Sequence, residues 1–405
     1  MTTAPQDDDR ATPPDWPLIA QEMADDLATD AVEREQAGKT PVEEVARLRE
    51  AGLLTLLVPA EHGGPGAGWR TAYTVVRTIA AADGALGHLL GSHYFLSSSA
   101  RFFAGPAVAA RVARESAVGR WCWGGGLASH EPPLVLTPVR DGYVLAGRRG
   151  PTVAARVADR LVVRAARAGT GEPLAVLVDP ARPGVAFGND GDTFGQRLAA
   201  GDSVEFDSVP VAADDVLGSL SPDEGVLSPF ACLAAPAARL FSVQFCLGVA
   251  EGLLAEAREY RRAAHAPWLP CPRPPWPGGP SQDPYVLNAY GELVVAARAA
   301  SALADQAVRA LERGLARGED LDDEECAEIT VLASAAEAAA FRAVREVTTG
   351  ALDAVGPRAA FVRHGFDRFW RDARTHLLRV PGAHRLRELG EYFLDGAHPP
   401  FTLPC

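Results

Sequence analysis

The chain has 405 residues, 47% of them hydrophobic, enough apolar material for a core shared by two or three domains. A formal net charge of −13 argues against nucleic acid and anionic membranes as partners. Lys39 is the only lysine beside 38 arginines, which argues against Schiff-base chemistry and a phosphate-loop lysine.

The six cysteines are scattered with no C-x-x-C pair, so they read as reduced cytoplasmic thiols and not as a disulfide frame or a metal centre. Residues 1–17 are acidic and proline-rich, are expected to be disordered, and lack the basic and apolar regions of a signal peptide. No apolar run reaches the roughly 18 residues of a membrane span.

In chain order, the composition divides into a helical segment (18–118), a β segment (119–225) and a second helical segment (226–398). Ala24, Leu27, Ala28 and Ala31, then Val42, Val45 and Leu48, recur at helical spacing. Val58–Trp69 holds four glycines and two prolines and predicts a corner. Thr71–Ala82 and Leu86–Phe103 predict two more helices. The second carries His88 and His93, which stand roughly 140° apart on a helix and so do not share a metal.

From Trp121 the chain shows short β-rich runs: Trp121–Gly126, Pro133–Val139, Tyr143–Arg149, Arg160–Ala166, Leu174–Asp179 and Ser203–Val211. Their regular spacing predicts a small antiparallel barrel or sandwich. Gly124–Gly126 is not followed by the G-x-G-x-x-G helix start of a nicotinamide site. Long helices are expected over Leu233–Ala264, Leu287–Arg317 and Asp323–Thr349, the last opened by Asp322 and Asp323. Pro267–Pro284 holds eight prolines and predicts a surface loop that overhangs a pocket. The four long helices, counting the one that follows, predict a bundle.

That fourth helix lies in Val355–Pro381, which packs six arginines (358, 363, 368, 371, 374 and 379), His364 and His376 around Phe369-Trp370. Two readings stand for the arginines: pairing with carboxylates elsewhere in the fold, or meeting an anionic ligand. Arg358 follows Gly356-Pro357, where a turn can aim it at a phosphate. His376 sits on an otherwise apolar face, where a satisfied core histidine competes with a catalytic one.

GFDRFWRDARTH (365–376), with DPY (283–285) and YGE (290–292) upstream, resembles the flavin-dependent dibenzothiophene monooxygenase group, which has the acyl-CoA dehydrogenase fold. The P-x-E-x-G-G-x-G run at 59–66 matches the same fold. The resemblance runs from about residue 25 to 399. It implies an α-helical N-terminal domain, a central β-barrel or sandwich and a C-terminal four-helix bundle, assembled as a homotetramer. It also implies FMN, reduced by a separate reductase, and oxygenation of a small aromatic or apolar secondary-metabolite substrate. The glutamate base of the acyl-CoA dehydrogenases is missing, because its position falls on Arg363. By resemblance His376 and His88 serve catalysis, with Asp372 beside them, and Arg358 meets the FMN phosphate. Ser92, Gly125, Thr152 and Ser203 fall at or beside cofactor-contact positions.

The same comparison exposes departures. The expected tyrosine is Ser92, an asparagine is Gly125, an aromatic is Pro151 and a hydroxyl is Val153. A tryptophan is Gly191, and a second phosphate-binding arginine is Ala266. Each loses a donor, a charge or a ring, so the flavin site is eroded while the scaffold is kept. A competing reading follows: no flavin at all, with the vacated and more apolar pocket running redox-neutral acid–base chemistry such as cyclisation or dehydration. A third is a non-catalytic scaffold.

Overall fold

Helix begins at Trp16, inside the stretch expected to be disordered, because Asp15 caps it: the carboxylate accepts from Leu18 N at 3.2 Å. The structure is a computed structural model that describes residues 14–128, 133–189, 191–221, 227–263, 283–379 and 382–403. The N-terminal domain comprises α1 (Trp16–Ala28), α2 (Ala31–Ala37), α3 (Val42–Glu50), α4 (Trp69–Ala82), α5 (Gly84–Ser97), α6 (Ser99–Phe103) and α7 (Pro106–Gly119). The single helix expected over 86–103 is broken at Ser98, whose hydroxyl turns back to donate to Tyr94 O. The amphipathic α7, which buries only Val112 and Ser116, was not anticipated.

The β segment forms an eight-stranded sheet: β1 (Trp123–Gly126), β2 (Leu134–Val139), β3 (Gly142–Thr152), β4 (Arg160–Arg167), β5 (Pro173–Val178), β6 (Val185–Phe187), β7 (Asp202–Val211) and β8 (Val216–Ser219). Its order is β6-β7-β3-β2-β4-β5-β8. β1 and β2 both lie parallel to β4, β1 along residues 160–163 and β2 along 165–167. The sheet is therefore mixed, a correction to the antiparallel expectation. Alternation of apolar residues reveals which face of a strand is buried, not which strand lies beside it. Leu134, Leu145, Val163, Val176 and Phe206 fill its core. Gly125 has φ 126, and a Cβ there would overlap Val162 O, so β1 can lie against β4 only with glycine at this position.

The C-terminal region contains α8 (Pro229–Cys232), α9 (Ala234–Ala263), α10 (Pro284–Arg317), α11 (Asp323–Val355), α12 (Phe366–Arg379) and α13 (Gly382–Asp395). α9 is the axis of the molecule, packing on α4, α5, α11 and α12. The stretch 229–263 is long and apolar enough to span a membrane, contrary to the sequence expectation, but its most apolar window is 89% buried within the fold, as for a core helix. α11 starts as expected: Asp322 accepts from Glu325 N, and Glu325 accepts from Asp322 N, a reciprocal cap. The proline-rich loop lies outside the described residues except for its last two, Asp283 and Pro284, as does Ala266.

Candidate active site

α5 is apolar around its whole circumference and is correspondingly buried on all sides; only Ser92 and Ser97 are not. It faces α9 across a cavity with about 50 Å³ of room for water-sized molecules. His88, Ser92 and Phe95 come from α5 and Phe241, Ser242 and Phe245 from α9, each set repeating at three- and four-residue spacing. Gly125, Gly126 and Leu127 close the sheet side, together with Val153 just past β3.

α12 lies behind this wall. Its buried face carries Phe369, Asp372, Ala373 and His376. The His376 ring meets the His88 ring edge-on at 5.2 Å and lies 4.8 Å from Phe245 and 5.7 Å from Phe341. The sequence thus placed two histidines 288 positions apart as catalytic candidates, and the fold brings them into contact. Among the described residues, His88 Nδ1 and both nitrogens of His376 have no hydrogen-bond partner. An unpaired buried polar group costs roughly 1–3 kcal/mol, so these nitrogens are open to a further hydrogen-bond partner.

Burial, reinforced by the nearby charge of Arg379, pushes the His376 pKa down to about 3; burial, with His376 and Arg379, pushes that of His88 well below its usual value. Both rings are therefore neutral at physiological pH. His93 shows what a structural histidine looks like in the same helix: it is completely buried, Nε2 donates to Leu54 O at 2.8 Å, and Nδ1 accepts from Trp123 N at 3.0 Å.

Asp372 is buried one turn before His376 but does not line the cavity. Its Oδ1 accepts from Gln196 N at 2.5 Å. Burial first, and then the charge of Glu35, raises its pKa to about 8. Gln196 sits at φ 56 in the 191–201 loop, which lies along α12. Its buried side-chain amide and the Thr375 hydroxyl lack partners among the described residues. Sequence reading missed Gln196, Thr375, Ser242, Phe245 and Phe341. Ser242, Phe245, Phe341 and Thr375 read as the apolar and small polar residues of any core helix, and Gln196, in a loop, carried no periodic signal.

The other nominated residues scatter. Ser92 and Gly125 line the cavity. Thr152 is buried and donates to Gly150 O at 2.7 Å, and Ser203 accepts from Arg148 at 3.1 Å; neither lines it. Arg358 stands exposed on the turn after α11, away from the cavity lining. Within the arginine run, Arg368 pairs with Glu256, and Arg371 with Glu35 at 2.5 Å and Asp367 at 2.9 Å. Those two arginines follow the internal-pairing reading. Among the departures, Val153 lines the cavity wall, but Pro151 is exposed. Gly191 donates to Asp202 at 2.9 Å, and a Cβ there would overlap Gly201 O. No larger side chain fits at 191 in this arrangement of the loop, and Gly191 is not among the residues that line the cavity.

A profile described as "Acyl-CoA dehydrogenase, N-terminal domain" matches residues 18–111. The chain is 35% identical over 396 residues to dibenzothiophene monooxygenase of Rhodococcus erythropolis, covering 94% of this chain and 93% of that one. It is 32% identical over 392 residues to a protein of Pseudomonas putida named probable FMNH2-dependent monooxygenase SfnC, covering 96% and 97%. The structure superposes with a TM-score of 0.89 on TdsC from Paenibacillus sp. A11-2 in complex with FMN and indole, at 34% identity over 96% of this chain and 98% of that one.

Proposed function

The chain belongs to the flavin-dependent dibenzothiophene monooxygenase family on the acyl-CoA dehydrogenase fold, and from that premise we propose that it uses reduced FMN to oxygenate a small, flat, apolar aromatic substrate. The observation that carries the reading is the buried His88–His376 pair, 5.2 Å apart with unpartnered nitrogens beside an aromatic-walled cavity. The residues fit the cofactor's ring system: the His88 and His376 nitrogens offer donors and acceptors to a heteroaromatic group, and Phe95, Phe241 and Phe245 offer apolar walls, while the unpartnered Gln196 amide and Thr375 hydroxyl lie outside the cavity lining. Reduced FMN, when bound, supplies two electrons and activates dioxygen for transfer of one oxygen atom, the other leaving as water.

The protein's share follows from its geometry. Phe241, Phe245 and Leu127 exclude water and orient a planar substrate. A neutral imidazole carries one N–H and one free lone pair, so His376 and His88 can each donate to a developing oxyanion or take a proton without themselves being charged. Asp372, protonated at neutral pH and held by Gln196 N, fixes the 191–201 loop against α12; in this reading it positions His376 and does not touch substrate.

Arg358 supports an assembled enzyme. It is exposed on the turn after α11 and outside the cavity lining, and we read it as a contact to an FMN phosphate held across a subunit boundary. Tyr285, Leu287 and Val295 on α10 and Leu386, Phe393 and Leu394 on α13 are exposed apolar side chains on the C-terminal region, the kind of surface a homotetramer would cover. The working enzyme is then a cytoplasmic tetramer paired with a separate reductase, and its substrate a secondary metabolite. The redox-neutral alternative has no observation in its favour beyond the departures, and the relatives do not favour it.

The test is titration with oxidised and reduced FMN, followed by turnover with a reductase, NADH and a panel of indole-like and sulfur heteroaromatics. Micromolar or tighter binding of reduced FMN and products heavier by one oxygen atom are expected. No binding at high FMN would overturn the reading.

A further inference from the structure

Away from the cavity, two of the scattered cysteines meet. Cys232 ends α8, and Cys326 lies one turn into α11, against which α8 packs. Their thiols are hydrogen-bonded to each other, and both residues are only half-buried. Cys122 and Cys246, by contrast, are buried singly, and burial pushes both thiols upward, Cys122 to about 12. Ser228 caps α8 and also donates to Glu319 at 3.1 Å, which ties α8 to the turn just before α11.

We propose that Cys232 and Cys326 are a paired redox-modification site that closes to a reversible disulfide on exposure to hydrogen peroxide. The Cys326 S–H donates to Cys232 and lowers its pKa, while Cys326 itself is raised. In this scheme Cys232 is the attacking sulfur and Cys326 the resolving one, an order that the two serine variants below test. The Cys232 thiolate attacks one peroxide oxygen; an S–O bond forms, the O–O bond breaks, and hydroxide leaves and takes up a proton as water. The sulfur loses two electrons and becomes a sulfenic acid. Cys326 then attacks that sulfur, the S–S bond forms, and a second water carries away the hydroxyl and the thiol proton. The sum is two thiols and one peroxide giving one disulfide and two waters.

The bond would join the elements flanking the cavity. α9, which begins two residues after Cys232, carries Phe241 and Phe245, and α11 carries Phe341 beside His376. Oxidation should therefore tighten the anchorage of the cavity walls. The proposal does not depend on flavin binding, because any source of peroxide serves.

Full-length protein, freshly reduced and desalted, would be exposed to a small molar excess of hydrogen peroxide, alkylated and mapped by mass spectrometry without reduction. The expected result is a Cys232–Cys326 linked peptide, a loss of two free thiols per chain, a raised thermal midpoint, and reversal of all three by dithiothreitol. Cys232→Ser should leave Cys326 a free thiol, and Cys326→Ser should leave Cys232 oxidised to sulfinic acid without a link. Two unlinked thiols in the wild-type map, or Cys232 over-oxidised there while Cys326 stays free, would overturn the proposal. The wild-type map decides even if a serine variant fails to fold.

Discussion

His376 illustrates how far a single residue's chemistry is set by what surrounds it. Its ring is held neutral down to about pH 3, chiefly by burial, so the proposed activity should show no limb near the ordinary histidine value of 6.5. His376→Ala should lower turnover about 10²- to 10⁴-fold; steady-state rates with saturating reduced FMN check this, and an unchanged rate removes the residue from the site. Asp372 titrates in the opposite sense. Its folded pKa of about 8 stands above the ordinary 3.8, so the folded state keeps a proton that the unfolded chain gives up. Its contribution is fully present below about pH 4, falls as pH rises and is lost above about pH 8. Asp372→Asn imitates the protonated form and still accepts from Gln196 N. Urea midpoints measured from about pH 5 to about pH 9 should show the variant gaining on wild type with rising pH, and parallel curves would refute the assignment.

Among elements, the contact of the 191–201 loop with α12 decides whether the site holds its shape. Arg371 donates to Phe194 O at 2.8 Å, Gln196 N donates to Asp372, and Gly195 lies so close that a Cβ would overlap Arg371 O. Gly195→Ala should therefore cost about 1–3 kcal/mol in unfolding free energy and reduce turnover by displacing Gln196 and Thr375. Denaturant titration and kinetics on the same preparation test both halves; full stability with full activity would show that the loop gives way freely. The strict use of glycine at 125 is the parallel case in the sheet, where β1 meets Val162 of β4.

For the whole molecule, the proposed tetramer makes the most exposed prediction. Phe393 and Leu394 are 85% and 77% exposed in the single chain. Phe393→Asp with Leu394→Asp should shift the sedimenting species to a smaller one, and Arg358→Ala should weaken FMN binding about 10- to 100-fold, the loss of one charge-assisted contact. A wild-type chain that sediments as a monomer and binds FMN equally well with or without Arg358 contradicts the assembled-site reading. Disassembly by the α13 substitutions should also weaken FMN binding if Arg358 acts across subunits.

The sequence alone determined the three-part order of helices, strands and helices, the cap at Asp322, the corner at Val58–Trp69 and the family, because these rest on local periodicity, turn chemistry and short contiguous motifs. It also nominated His88 and His376 separately. It did not reveal that they touch, that His93 is structural, or that Asp372 faces Gln196; those follow from which helix faces are pressed together, and helical spacing is blind to the partner. It misjudged the sheet as antiparallel for the same reason, since a strand's pattern names its buried face and not its neighbour. The tertiary structure alone decided that Gly191 stands where no side chain fits, and that Cys232 and Cys326, read as scattered, meet. Contacts between residues far apart in the chain depend on the packing of whole elements, and no short stretch encodes them.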